Sequence, residues 1–121
     1  MNEELQANEM NITQEQLEAL RWLLPQTYIS LDRDGNILFD VESSIYKTLS
    51  HEKAAIFCDL LKRAVLAKDV ETTDVRTFRE CCFIRLVMKD GLVASFIDAQ
   101  SNTELEAWIL AVTELHGRMG K

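Results

Sequence analysis

Five consecutive turn formers, Asp32-Arg33-Asp34-Gly35-Asn36, lie between two stretches of alternating apolar and polar side chains. Ahead of them Ile29 and Leu31 alternate with Tyr28 and Ser30; behind them Ile37, Phe39 and Val41 alternate with Leu38 and Asp40. A period of two puts each apolar set on one face of an extended strand. Gly35 supplies a residue free to take positive φ, and Asp and Asn bond their own backbone. The pattern predicts a β-hairpin over 28–41. The same cluster is also how a Ca²⁺ loop of the EF-hand type begins, but that loop needs Gly at its sixth position and an acid at its twelfth. Those positions hold Ile37 and Ser43, so the turn is the better reading.

A second hairpin is expected further on. Cys82, Ile84, Leu86 and Met88 alternate with Phe83, Arg85, Val87 and Lys89, and Asp90-Gly91 forms a tight turn into Leu92-Val93-Ala94-Ser95-Phe96-Ile97. Ahead of it Thr72, Thr73, Val75, Thr77 and Phe78 favour a strand over 72–80. Its polar run Thr72-Thr73-Asp74 marks an edge.

Three helices frame these strands. Thr13 and Gln16 have capping-box spacing, Ile12 and Leu17 the positions of a hydrophobic staple, and Leu17, Leu20, Leu23 and Leu24 one apolar stripe. Pro25 closes that helix, which covers 14–24. After a connector at 42–50, Ser50 is an N-cap for a helix over 51–67. Ala54, Phe57, Cys58, Leu61, Ala64 and Val65 recur at helical spacing there, and Ile56 and Leu60 widen the apolar surface beyond one stripe. A helix apolar over so much of its girth meets two neighbours, its own sheet and a partner. Ser101 with Glu104 forms a second capping-box pattern, and Leu105, Trp108, Ile109, Val112 and Leu115 trace a last helix over 102–116 that Gly117 ends.

At 121 residues, 47% of them hydrophobic, the chain has the length of one domain and enough apolar material for a core. The expected fold is α/β of the α+β kind, in the order α-β-β-α-β-β-β-α. A central five-stranded, mainly antiparallel sheet carries helices on both faces. One domain over 13–117 follows a flexible tail at 1–12.

A formal net charge of −7 speaks against nucleic acid, whose binders concentrate Lys and Arg on one face. It speaks equally against docking on an anionic membrane through a basic patch. No apolar run approaches the roughly 18 residues of a membrane span, the acidic start is unlike a secretory leader, and Asn2 stands where myristoylation needs Gly. The expected location is cytoplasmic, with Cys58, Cys81 and Cys82 reduced, since an odd count with two adjacent members makes no disulfide framework. Adjacent strand residues face opposite ways, so Cys81 and Cys82 are poorly placed to share an ion, and His51 and His116 stand apart from other ligands in sequence. Cys58 falls mid-helix on an apolar stripe and Cys82 alternates with Ile84, both core positions. No nucleophile elbow, P-loop or GxGxxG is present. The expectation is a non-enzymatic chain with no metal and no cofactor. Trp108 lies on a core stripe. Trp22 lies off the stripe of its helix and is the better candidate for a contact residue.

Three stretches resemble the roadblock/LC7 family. They are the strand-turn-strand Tyr28–Leu38, the apolar helix 51–67, and Gly91-Leu92-Val93-Ala94-Ser95-Phe96-Ile97-Asp98 with the polar cap and helix that follow. The connector Ser43-Ser44-Ile45-Tyr46-Lys47 departs from the small residues and Gly many members carry there. The resemblance covers roughly 13–116 and implies a dimeric scaffold. Its partners would be a second copy or a related chain, with a small GTPase or a larger signalling or motor assembly docked on the pair. Carried onto this chain, it places the interface on the helix at Lys53, Ile56, Phe57, Leu60 and Ala64, and on the strand at Thr73, Val75, Arg76 and Thr77. Physical chemistry points the same way, because an edge strand exposes unpaired N–H and C=O groups that a second copy can satisfy. The alternative is a small-molecule sensor of the PAS or profilin-like type, for which a pocket of a few hundred Å³ is expected.

Overall fold

Thr13 opens the first helix, α1 (Gln14–Leu23), by accepting the N–H of Gln16 on its hydroxyl at 3.1 Å, while Gln16 Oε1 accepts the N–H of Thr13 at 3.0 Å. The computed structural model describes residues 12–89 and 95–119. Most of the expected tail, the Asp90-Gly91 turn and the start of the strand at 92–97 lie outside the described residues.

The first hairpin forms as the turn residues dictate. β1 (Ile29–Leu31) and β2 (Ile37–Val41) pair antiparallel. Asp32 Oδ1 accepts the N–H groups of Asp34 and Asn36, both at 2.9 Å, and Gly35 takes φ 86°. The connector expected at 42–50 is corrected in its first half. Glu42 and Ser43 take φ 50° and 73°, a two-residue turn of the primed kind, and β3 (Ser44–Lys47) folds back antiparallel onto β2. Ser50 then caps α2 (His51–Val65), accepting the N–H of Lys53 at 3.2 Å.

β4 (Val70–Thr77), β5 (Cys82–Met88) and β6 (Phe96–Ser101) follow as an antiparallel run. The last helix, α3 (Glu104–Met119), begins later than its sequence pattern suggests, because β6 holds Ser101 in a strand. The cap is Thr103. Its hydroxyl accepts the N–H of Glu106 and donates to Glu106 Oε1, both at 3.2 Å. Gly117 lies inside the helix and does not end it.

The strands form two separate three-stranded antiparallel sheets, ordered β1-β2-β3 and β4-β5-β6. This corrects the single five-stranded sheet expected from the sequence. One reason is local: β3 supplies the first hairpin with its third strand from within the connector. The other is that the outer edge of β1 is occupied by a side chain, Arg21, which donates to the Ile29 carbonyl. Helices on both faces are likewise corrected for the second sheet. Along β5, Cys82, Ile84 and Leu86 are buried while Phe83, Arg85 and Val87 remain half-exposed, the alternation of a sheet covered on one side.

α3 is the hub of the packing. It lies against β5 and β6 and meets both α1 and α2, while α1 also touches β1 and α2 touches β3. Trp108, Ile109, Val112 and Leu115 of α3 are buried with Leu20 of α1 and Leu61 of α2. Phe39 of β2 meets Phe57 of α2 with ring centroids 4.8 Å apart. One core therefore serves both sheets.

Candidate functional site

β4 ends in a tight turn in which Phe78 N–H donates to the Cys81 carbonyl at 2.8 Å. Backbone pairing in an antiparallel ladder alternates from such a point. With Arg76 opposite Phe83 and Asp74 opposite Arg85, Asp74 and Arg76 turn their backbone toward β5. Thr73, Val75 and Thr77 turn their N–H and C=O groups to the free edge. No side chain bonds those groups among the described residues, whereas the edge of β1 is closed by Arg21.

The candidate interface residues divide into three groups. On α2, Lys53, Ile56, Leu60 and Ala64 are half-buried. Ile56, Leu60 and Ala64 follow one another at four-residue spacing and so share a face. Lys53 Nζ sits 4.3 Å from the centre of the Tyr46 ring. On β4, Thr73 and Val75 are half-buried and Thr77 is exposed; Val75 packs on the same core as Ile56, Leu60 and Ala64. Arg76 points to the other side of the sheet, its Nε 3.2 Å from Asp74 Oδ2. Phe57 is fully buried against Phe39. It can support a surface on α2 from beneath but presents nothing to a partner.

A second feature has no counterpart in the sequence pattern. The N-terminal ends of α2 and α3 converge on an open cleft of about 570 Å³. Leu49, Ala54, Cys58 and Leu105 supply apolar lining, and Glu104 and Glu106 a wall of carboxylates. The hydroxyls of Ser50 and Thr103 are engaged as helix caps. Glu104 Oε2 accepts the indole N–H of Trp108 at 3.1 Å. Burial, then the charge of Glu104, then Cys82 push the Cys58 thiol up to about 12, so it stays protonated at neutral pH. Cys82 is raised by burial against a hydroxyl contact from Thr77 that lowers it, with Glu104 again raising it. In the sequence Glu104 is legible only as the capping partner of Ser101. Its nearness to the two thiols comes from the docking of α3, whereas its bond to the Trp108 indole is local, one turn along the same helix.

Elsewhere, Trp108 is buried, and Trp22 is half-buried with its ring centroid 5.0 Å from that of His116 and Lys68 Nζ 4.9 Å from its own. Trp22 thus has neighbours within the chain. Among the described residues no three His, Cys, Asp or Glu side chains gather to hold a metal ion, and no helix is long and apolar enough to cross a membrane. No family model, curated protein or solved structure matches the chain.

Proposed function

We propose that this chain is a non-enzymatic pairing module that joins a second copy of itself, or a related chain, through β4 and the half-buried apolar stripe of α2. The observation that carries the reading is the free edge of β4, where Thr73, Val75 and Thr77 direct backbone donors and acceptors outward. Ile56, Leu60 and Ala64 are half-buried on the same core as Val75 of β4. An eight-residue edge strand left open is a template for pairing. A two-fold partner satisfies it, and apolar surface on α2 would gain from being covered as well. The further partner that the resemblance implies, a small GTPase or a larger assembly docked on the pair, belongs to the same proposal and rests on the resemblance alone.

Light scattering over a range of concentrations tests it. The wild-type chain is expected to run as a dimer. Leu60→Asp and Ile56→Asp are expected to run as monomers that keep their far-UV circular dichroism and a cooperative thermal transition. A monomeric wild type, or a Leu60→Asp variant that stays dimeric and folded, defeats the placement.

The cleft between α2 and α3 favours a second reading, a small-molecule sensor of the PAS or profilin-like type. Its volume of about 570 Å³ lies within the range of ligand pockets. A ligand that binds only the folded chain would raise its thermal midpoint.

A further inference from the structure

We infer that the cleft between the N-terminal ends of α2 and α3 takes an amphipathic organic cation, an ammonium or amine head carried on a small apolar body. This rests on the sensor reading and names the chemical class of its ligand; it is independent of the pairing surface.

The apolar half of such a ligand is matched by Leu49, Ala54, Cys58 and Leu105. Leu49 is 74% exposed, the most exposed of the large apolar side chains described, and a ligand body lying against it would remove that surface from water. Cys58 stays a neutral thiol and behaves as a small apolar group.

The charged half is matched by Glu104 and Glu106. Each has one carboxylate oxygen engaged inside the chain, Glu104 Oε2 by the Trp108 indole and Glu106 Oε1 by the Thr103 hydroxyl. These bonds hold the carboxylates in place. The second oxygen of each accepts no bond within the chain among the described residues and can accept one from an N–H donor. The field of Glu104 reaches the apolar lining, since its charge contributes to raising the Cys58 thiol. Neither carboxylate is in an ion pair among the described residues. His51 is the one basic side chain of the lining, set against two carboxylates. An anionic ligand would find no Lys or Arg in the lining, and the full charges of the two carboxylates outweigh the roughly half positive charge at each of the two helix starts. A neutral ligand would leave them without a counter-charge.

Three probes of nearly one shape separate the terms: 2-phenylethylamine, 2-phenylethanol and phenylacetate, each titrated into the full chain while its thermal midpoint is followed. The amine at about ten times its dissociation constant is expected to raise the midpoint by about 5 °C. The alcohol is expected to have a smaller effect and phenylacetate none. Glu104→Gln/Glu106→Gln keeps the acceptors for Trp108 and Thr103 and should abolish the preference for the amine. Ala55→Trp, which fills the cleft from an exposed lining position, should abolish the response altogether. If amine and alcohol stabilise equally, or the double variant keeps the amine response, the cation assignment is overturned while the sensor reading stands. If no probe shifts the midpoint of the wild type, both fall.

Discussion

Arg21 holds the carbonyl of Ile29 with Nε at 3.1 Å and Nη2 at 2.9 Å, so a helix side chain occupies the outer edge of β1. The first sheet therefore ends at β1 and does not continue into another strand there. The contrast with β4, whose outward groups have no such cover among the described residues, supports β4 as the proposed pairing edge.

Arg21→Ala is expected to lower stability by about 1 kcal/mol, the usual net worth of bonds of this kind. It should also increase concentration-dependent association, because the β1 carbonyl becomes available to another chain. Denaturant midpoints and light scattering measure the two effects. Arg21→Lys should restore only part of each, since a lysine ammonium cannot present the guanidinium fork. Unchanged association in Arg21→Ala would mean the edge is closed by something other than Arg21.

The acid side of the stability profile is expected to depend on Asp98 and Asp32. Bonds from Arg85, Nε at 2.7 Å and Nη2 at 3.0 Å, hold the Asp98 carboxyl below its ordinary range against a smaller effect of desolvation. For Asp32, desolvation acts upward, but bonds from Asn36, Asp34 and Lys47 together outweigh it. Both folded values lie below the unfolded ones. Their stabilisation is thus complete above about pH 4 and is lost as pH falls through the folded values. Asp98→Asn should have a lower urea midpoint than wild type at pH 7, and the gap should close toward pH 3. A gap that stays constant with pH would show that Asp98 does not contribute through its charge.

The three thiols should differ in reactivity. Cys58 and Cys82 are buried and their thiols raised, Cys58 to about 12, whereas Cys81 is half-exposed. Since the thiolate is the reactive form, an aromatic disulfide reagent at pH 8 is expected to label one thiol quickly in the folded chain and three in urea. Cys81→Ser should remove the fast phase and Cys58→Ser should leave it intact. The sign also fixes an alkaline effect: a folded value above the unfolded one stabilises below about pH 8.5 and ceases to do so as pH rises toward the folded value. Rapid labelling of Cys58 in the native chain would contradict its burial.

Much of the secondary structure was legible in the residues because its causes are local. The Thr13–Gln16 capping box and the Ser50 cap act over three residues, the Asp32–Asn36 turn over five, and the alternation along β5 needs only a covered face. Each is seen where the pattern placed it. β3 was not legible, since its turn rests on Glu42 and Ser43 at positive φ, residues that carry no glycine signal. The cap of α3 moved to Thr103 because pairing with β5 carried β6 through Ser101.

Of the candidate sites, the open edge of β4 was foreshadowed by its polar run, but Phe57 was not separable from Ile56 and Leu60 by spacing on a helix apolar around most of its girth. Only the fold decided that Phe57 turns into Phe39, that two sheets form and not one, and that the ends of α2 and α3 border an open cleft. The sequence by itself determined most of the segments that become helix and strand, β3 apart, because backbone dihedrals and caps respond to neighbours a few residues away. Which strands meet, and which side chains face water, depended on contacts between segments far apart in the chain, above all those made by α3, and no local pattern encodes them.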